Sequence, residues 1–195
     1  MTSSNLELHN AAETGDVSKL RNLISIGVNI ENKNAKGDTA LEVAVICENW
    51  NAARLLIEAG ADHILEDQSH NILDDPISTG NLDFVKFLID LGVDVAGVGG
   101  RRPPIFWAVQ ENHIDVAIYL LESGVDPNSI DDSDSNLRSI LIDAAGEGSF
   151  ELVEKLLTLG ADANYRDQQG VSAVELARAW EHADVVSLLE GYLRS

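Results

Sequence analysis

Chemistry needs side chains gathered at workable spacing, and the histidines are the first place to look for it. His9, His63, His70, His113 and His182 are scattered along the chain, none with an acidic or nucleophilic partner at a spacing that marks a catalytic set. His63 and His70 share one stretch, but a zinc ion takes three or four ligands, so the five read as solvated loop residues. Asp132, Asp134, Asn136 and Asp143 fall at positions one, three, five and twelve of a calcium loop. The sixth position, however, is Leu137 where that loop needs glycine, and the twelfth is Asp where a bidentate Glu is usual. An acidic, solvated finger is the better reading. Gly97-Val98-Gly99-Gly100-Arg101-Arg102 has the glycines of a phosphate loop without its Gly-Lys-Ser/Thr or a preceding strand, and reads as a second finger. No catalytic residue, metal site or cofactor is expected.

Composition narrows the partners. The 195 residues carry 33 acidic and 13 basic side chains, a formal net charge of −20. A nucleic-acid backbone or an anionic membrane surface rewards clustered Lys and Arg, so both are excluded as expected partners, whereas a cationic protein would be steered toward such a chain. Cys47 is the only cysteine, which rules out an intrachain disulfide. No basic-then-apolar leader opens the chain, and no stretch approaches the roughly 18 apolar residues of a membrane span. A monomer in the reducing cytosol is the expectation.

What positions these side chains is a repeat. LLIEAGAD, FLIDLGVD, YLLESGVD and LLTLGAD end at Asp62, Asp94, Asp126 and Asp162, with a weaker NLISIGVN ending at Asn29. The glycines Gly27, Gly60, Gly92, Gly124 and Gly160 are 33, 32, 32 and 36 residues apart. Sixteen residues before each stands Ala11, Ala44, Pro76, Ala108 or Ala144, and Ala177 opens a last, shortened copy. Two apolar stripes with a polar turn between them predict a helical hairpin in each copy. Small Ala lets neighbouring hairpins approach, the paired Leu, Ile and Val fill the space between them, and the glycine caps the second helix. One hairpin cannot bury its apolar face alone, so neighbours must stack.

The period and glycine pattern, with Gly37-Asp38-Thr39-Ala40-Leu41-Glu42-Val43-Ala44 and Gly170-Val171-Ser172-Ala173-Val174-Glu175-Leu176-Ala177, resemble the ankyrin-repeat family. The resemblance covers residues 5–193 and implies an all-α solenoid of stacked hairpins with finger loops. Its repeats fall near 5–33, 34–66, 67–96, 97–130, 131–165 and 166–193, after a disordered 1–4. The third copy lacks the Thr-Pro pair, and Pro76 is placed in the first turn of its helix.

The resemblance also implies where a partner sits. Ankyrin proteins usually bind through finger loops and first helices, which here present Asp38, Glu42, Asp74, Asp75, Glu111, Asp131, Asp132, Asp134, Asp143, Glu147 and Glu175, with Arg101, Arg102 and Arg138 as a basic island. The finger insertion 131–136 is expected at the rim, and its charges are expected to speed encounter without bearing on folding. Among the aromatics, Trp50 is expected in the core and Trp180 on the exposed side of the last first helix. Phe106 and Trp107 either pack between repeats or reach the groove. The chain thus reads as a binder or inhibitor of a basic protein, an immunity protein being one form, or as an adaptor using Phe106, Trp107 and Trp180 as apolar anchors.

Overall fold

The paired apolar stripes become paired helices in a computed structural model that describes residues 3–63, 72–95, 102–133 and 135–194. Twelve α-helices lie among these residues, and extended pairing is confined to two isolated bridges, Ile130 with Ser139 and Arg166 with Ser172. The fold is all-α, as the repeat predicts.

Contacts divide the chain into Met1–Pro76 and Ile77–Ser195. The first unit holds α1 (Ser3–Glu13), α2 (Val17–Ser25), α3 (Ala40–Ile46) and α4 (Trp50–Glu58), with α1 packed on α3 and α2 on α4. Helix α5 (Asp74–Ser78) contains the division, and Pro76 stands in its first turn. The second unit continues with α6 (Leu82–Asp90), α7 (Pro104–Gln110), α8 (Ile114–Glu122), α9 (Ile140–Gly146), α10 (Phe150–Thr158), α11 (Ala173–Ala179) and α12 (Ala183–Leu193). There α7, α9 and α11 pack in succession, as do α6, α8, α10 and α12. Ser3 and Ser4, expected in a disordered leader, belong to α1.

Residue types explain these contacts. Ala11, Ala44, Ala108, Ala144 and Ala177 are all at most 2% exposed, because only a methyl group fits where first helices touch. The second helices bury adjacent pairs one turn apart, such as Val116-Ala117 with Leu120-Leu121 and Leu152-Val153 with Leu156-Leu157. Leu56, Leu88, Leu120 and Leu156, all placed in the core by the sequence, are fully buried.

Three turn residues tie successive hairpins together. Asn49, His113 and His182 precede α4, α8 and α12 but make no side-chain cap to their own helices. Each reaches back to the preceding hairpin instead. Asn49 Nδ2 donates to the carbonyls of Ala12 and Glu13 at 3.0 and 2.9 Å, His113 Nε2 to Ser78 at 2.9 Å, and His182 Nε2 to Gly146 at 2.9 Å. These are last-turn carbonyls with no partner inside their own helix. The rings lie so close that a Cβ on Gly80 or Gly148 would come within 2.4 Å of His113 or His182 Nδ1, and both glycines have φ +70°. His9 is buried, its Nδ1 2.8 Å from the Asn5 carbonyl and its Nε2 3.1 Å from that of Asp38. The histidines at 9, 113 and 182 are therefore structural ties rather than solvated loop residues. His70 lies outside the described residues.

Candidate protein-binding site

In Met1–Pro76 the candidate surface is organised by α3. Its start is fixed by a reciprocal cap: Glu42 N donates to Thr39 Oγ1 at 3.2 Å, and Thr39 N donates to Glu42 Oε2 at 2.5 Å. The arrangement uses a Thr/Glu pair three residues apart, which satisfies two helix-terminal donors at once. Asp38, just before the cap, accepts from Asn34 Nδ2 at 3.1 Å, while its carbonyl meets His9. The loop before α3 is thereby held on both sides.

Helix α3 has a groove along each flank. Toward α5 the floor is Leu41, Val45 and Ile72, and the rim is Asp38, Glu42 and Asp75. Toward α1 the groove runs past Leu6, Glu13 and Lys36. Asp38 and Ile46 border both. Ile46 is 65% exposed and Leu6 55%, so an apolar ridge stands among carboxylates.

The second unit treats its charges differently. Arg102, half-buried, forms an ion pair with Asp131 at 2.9 Å, donates to Gln110, and lies 4.7 Å from the Trp107 ring centroid and 5.8 Å from that of Phe106. Asp131 is only 7% exposed, and its Oδ1 also accepts from Ser133 N and Oγ. Arg138 stands 3.7 Å from both Asp143 and Asp167. Asp167, whose carboxylate is fully enclosed, accepts from the backbone N–H groups of Gln169 and Val171 at 2.9 and 2.8 Å. Burial raises the Asp143 carboxyl to about 6 against the pull of Arg138 and Arg102. At the last finger, the hydrogen bond from Arg166 and two from Ser172 hold Glu175 down at about 2.

Several expected site residues therefore change role. Phe106 is fully enclosed and offers no surface to a partner, so it is a core residue. Trp107 is half-buried under the Arg102 guanidinium. Trp50, expected in the core, is half-buried at the first position of α4, and Trp180 is 67% exposed at the C-cap of α11. Asp131 is a buried structural anion, and Arg102 and Arg138 are its neighbourhood's counter-ions rather than an open basic island. The finger is also tied to its neighbour: Gln169 Nε2 donates to Asn136 Oδ1 at 2.7 Å, Gln168 N to Asn136 O at 2.9 Å, and Tyr165 Oη to Leu137 O at 2.6 Å. Glu111, Asp132 and Glu147 are not enclosed in this way, and Asp74 and Asp75 are half-buried in the first turn of α5. Arg101 and Asp134 lie outside the described residues.

Sequence reading missed Leu6, Leu41, Val45, Ile46 and Ile72 as surface-lining residues. One signal was available: Leu41, Ala44 and Val45 follow the i, i+3, i+4 stripe of a buried helix face, and Ile46 falls off it. It also missed Asp167, whose meeting with Arg138 depends on two fingers lying side by side.

The family model for ankyrin repeats matches three times, over residues 8–98, 77–131 and 105–192. This chain belongs to the ankyrin-repeat family, whose domains are protein–protein interaction modules. It is 25% identical over 190 residues to the putative ankyrin repeat protein YahD of Escherichia coli K12, covering 92% of each chain. It is also 25% identical over 184 residues to a transient receptor potential cation channel subfamily A member 1 homologue of Caenorhabditis elegans, of which it spans 15%. Among solved structures, an ankyrin repeat domain from Acinetobacter baumannii AYE superposes with a TM-score of 0.81 at 26% identity, over 95% of this chain and 96% of that one. No described helix is long and apolar enough to cross a membrane.

Proposed function

We propose that this chain is a non-catalytic, stoichiometric binder of a basic protein, monomeric and cytosolic before it meets its partner. The observation that carries the reading is the surface around α3, where Asp38, Glu42 and Asp75 rim an apolar floor on a chain of net charge −20. Carboxylates beside apolar surface favour cationic partners twice, by steering their approach and by matching their charge at contact. Covering a partner's working surface would make the chain an inhibitor, and an immunity protein that neutralises a basic toxin enzyme is one such role.

The test is association kinetics with captured partners at low and high salt. A basic partner whose on-rate falls about 10-fold or more as salt rises supports the reading, and recovery of only acidic or neutral partners overturns it. A second reading, an adaptor held by apolar anchors, is favoured by one observation, the 67% exposure of Trp180. That mode predicts a salt-insensitive on-rate and loss of binding on Trp180→Ala.

A further inference from the structure

The grooves on either side of α3 share Asp38 and Ile46, which makes them two halves of one surface within Met1–Pro76. A ligand for it must do two things. It must cover Ile46, 65% exposed above a floor of buried Leu41, Val45 and Ile72, which only apolar material does favourably. It must also bring positive charge to Asp38 and Glu42 on the rim. Among the described residues, the side-chain oxygens of Asp38 and Glu42 accept from neutral donors, Asn34 Nδ2 and Thr39 N, so neither contact neutralises the carboxylate. Lys and Arg meet both demands at once, since their alkyl stems lie along apolar surface while their heads stay at the polar rim.

We propose that the paired grooves about Ile46 form a docking surface for a protein segment that carries an aliphatic side chain flanked by lysine or arginine. The aliphatic group covers Ile46 and enters the floor toward α5, and the flanking cations face Asp38 and Glu42. Lys36, on the α1 side, disfavours cations there and orients the basic end of the segment toward α5. The inference rests on the basic-partner reading and gives it a location and a sequence signature.

Selection of random twelve-residue peptides on the immobilised full chain at low salt, followed by affinity measurement of the recovered peptides, tests it. Peptides with an aliphatic residue between basic ones are expected, with affinity falling about 10-fold or more on Ile46→Asp, the scale of losing a central apolar contact. Glu42→Gln, which keeps the helix cap because Gln also serves there, should weaken binding less and flatten its salt dependence. Trp180→Ala should leave affinity unchanged. Thermal melting checks that each variant folds, and Ile46→Ser repeats the test with a neutral side chain. Basic peptides indifferent to both Ile46 variants would overturn this docking surface while leaving a basic partner in place. Recovery of acidic peptides, of peptides without basic residues, or of none would overturn both.

Discussion

Met1–Pro76 and Ile77–Ser195 are built from the same hairpin, yet they use their carboxylates in opposite ways. Around α3 the acids border exposed Ile46 and an apolar floor. Around α7, α9 and the fingers that precede α9 and α11, Asp131, Asp143 and Asp167 are drawn inward against Arg102 and Arg138. A count of acidic residues along the repeat treats the two alike. What separates them is burial: a carboxylate removed from water must be matched by a cation or by N–H groups, and once matched it contributes little to the field a partner meets.

The largest effect that would sharpen this contrast comes from Asp143. Its carboxyl is raised from the ordinary 3.8 to about 6, so the folded protein holds the proton more tightly than the unfolded chain does. This group therefore favours folding fully below about pH 4, and that contribution fades as pH rises through about 6. Asp143→Asn should remove the fade, leaving the variant more stable than the parent at pH 7.5 by up to about 3 kcal/mol. Urea denaturation of both proteins from pH 4 to 8 measures it, and a pH-independent difference between them would mean that the carboxyl is not held in this environment.

Asp131 and Asp132 offer a contrast within one finger. Asp131→Asn leaves Arg102 half-buried without its anion and should cost about 1–3 kcal/mol. Exposed Asp132→Asn should stay within about 0.5 kcal/mol. Equal effects would return Asp131 to the solvated rim that the sequence suggests.

A smaller difference is expected at the turns. Gly148→Ala places a methyl group within 2.4 Å of the His182 ring, whereas Gly15→Ala meets the movable Asn49 amide at 2.7 Å. Both need a left-handed backbone, which costs about 1 kcal/mol or more for Ala, and the rigid ring should add to that cost at Gly148. Thermal melts of the two variants compare them, and Gly148→Ala in a His182→Ala background should recover the added part. An effect on folding as small as that of Asp132→Asn is expected for Ile46→Ser, within about 0.5 kcal/mol at this exposed site. A larger loss would make Ile46 a core residue and close the α3 surface to a partner.

The sequence by itself determined the family and the all-α fold, because the spacing of Gly27 through Gly160 and the small residues from Ala11 to Ala177 repeat the same local constraints in every hairpin. The leucines at 56, 88, 120 and 156 were legible as core for the same reason: helical periodicity is a local property. Which charges remain available to a partner was not legible. Arg138 and Asp167 are 29 positions apart, as are His9 and Asp38, and no local pattern links them. Only the stacking of one finger or helix on the next brings these groups together. Tertiary structure thus decided that Asp131 and Phe106 belong to the interior and that Ile46 stands exposed among acids. Burial depends on what the neighbouring repeat places opposite a side chain, and the residue's own repeat does not contain that information.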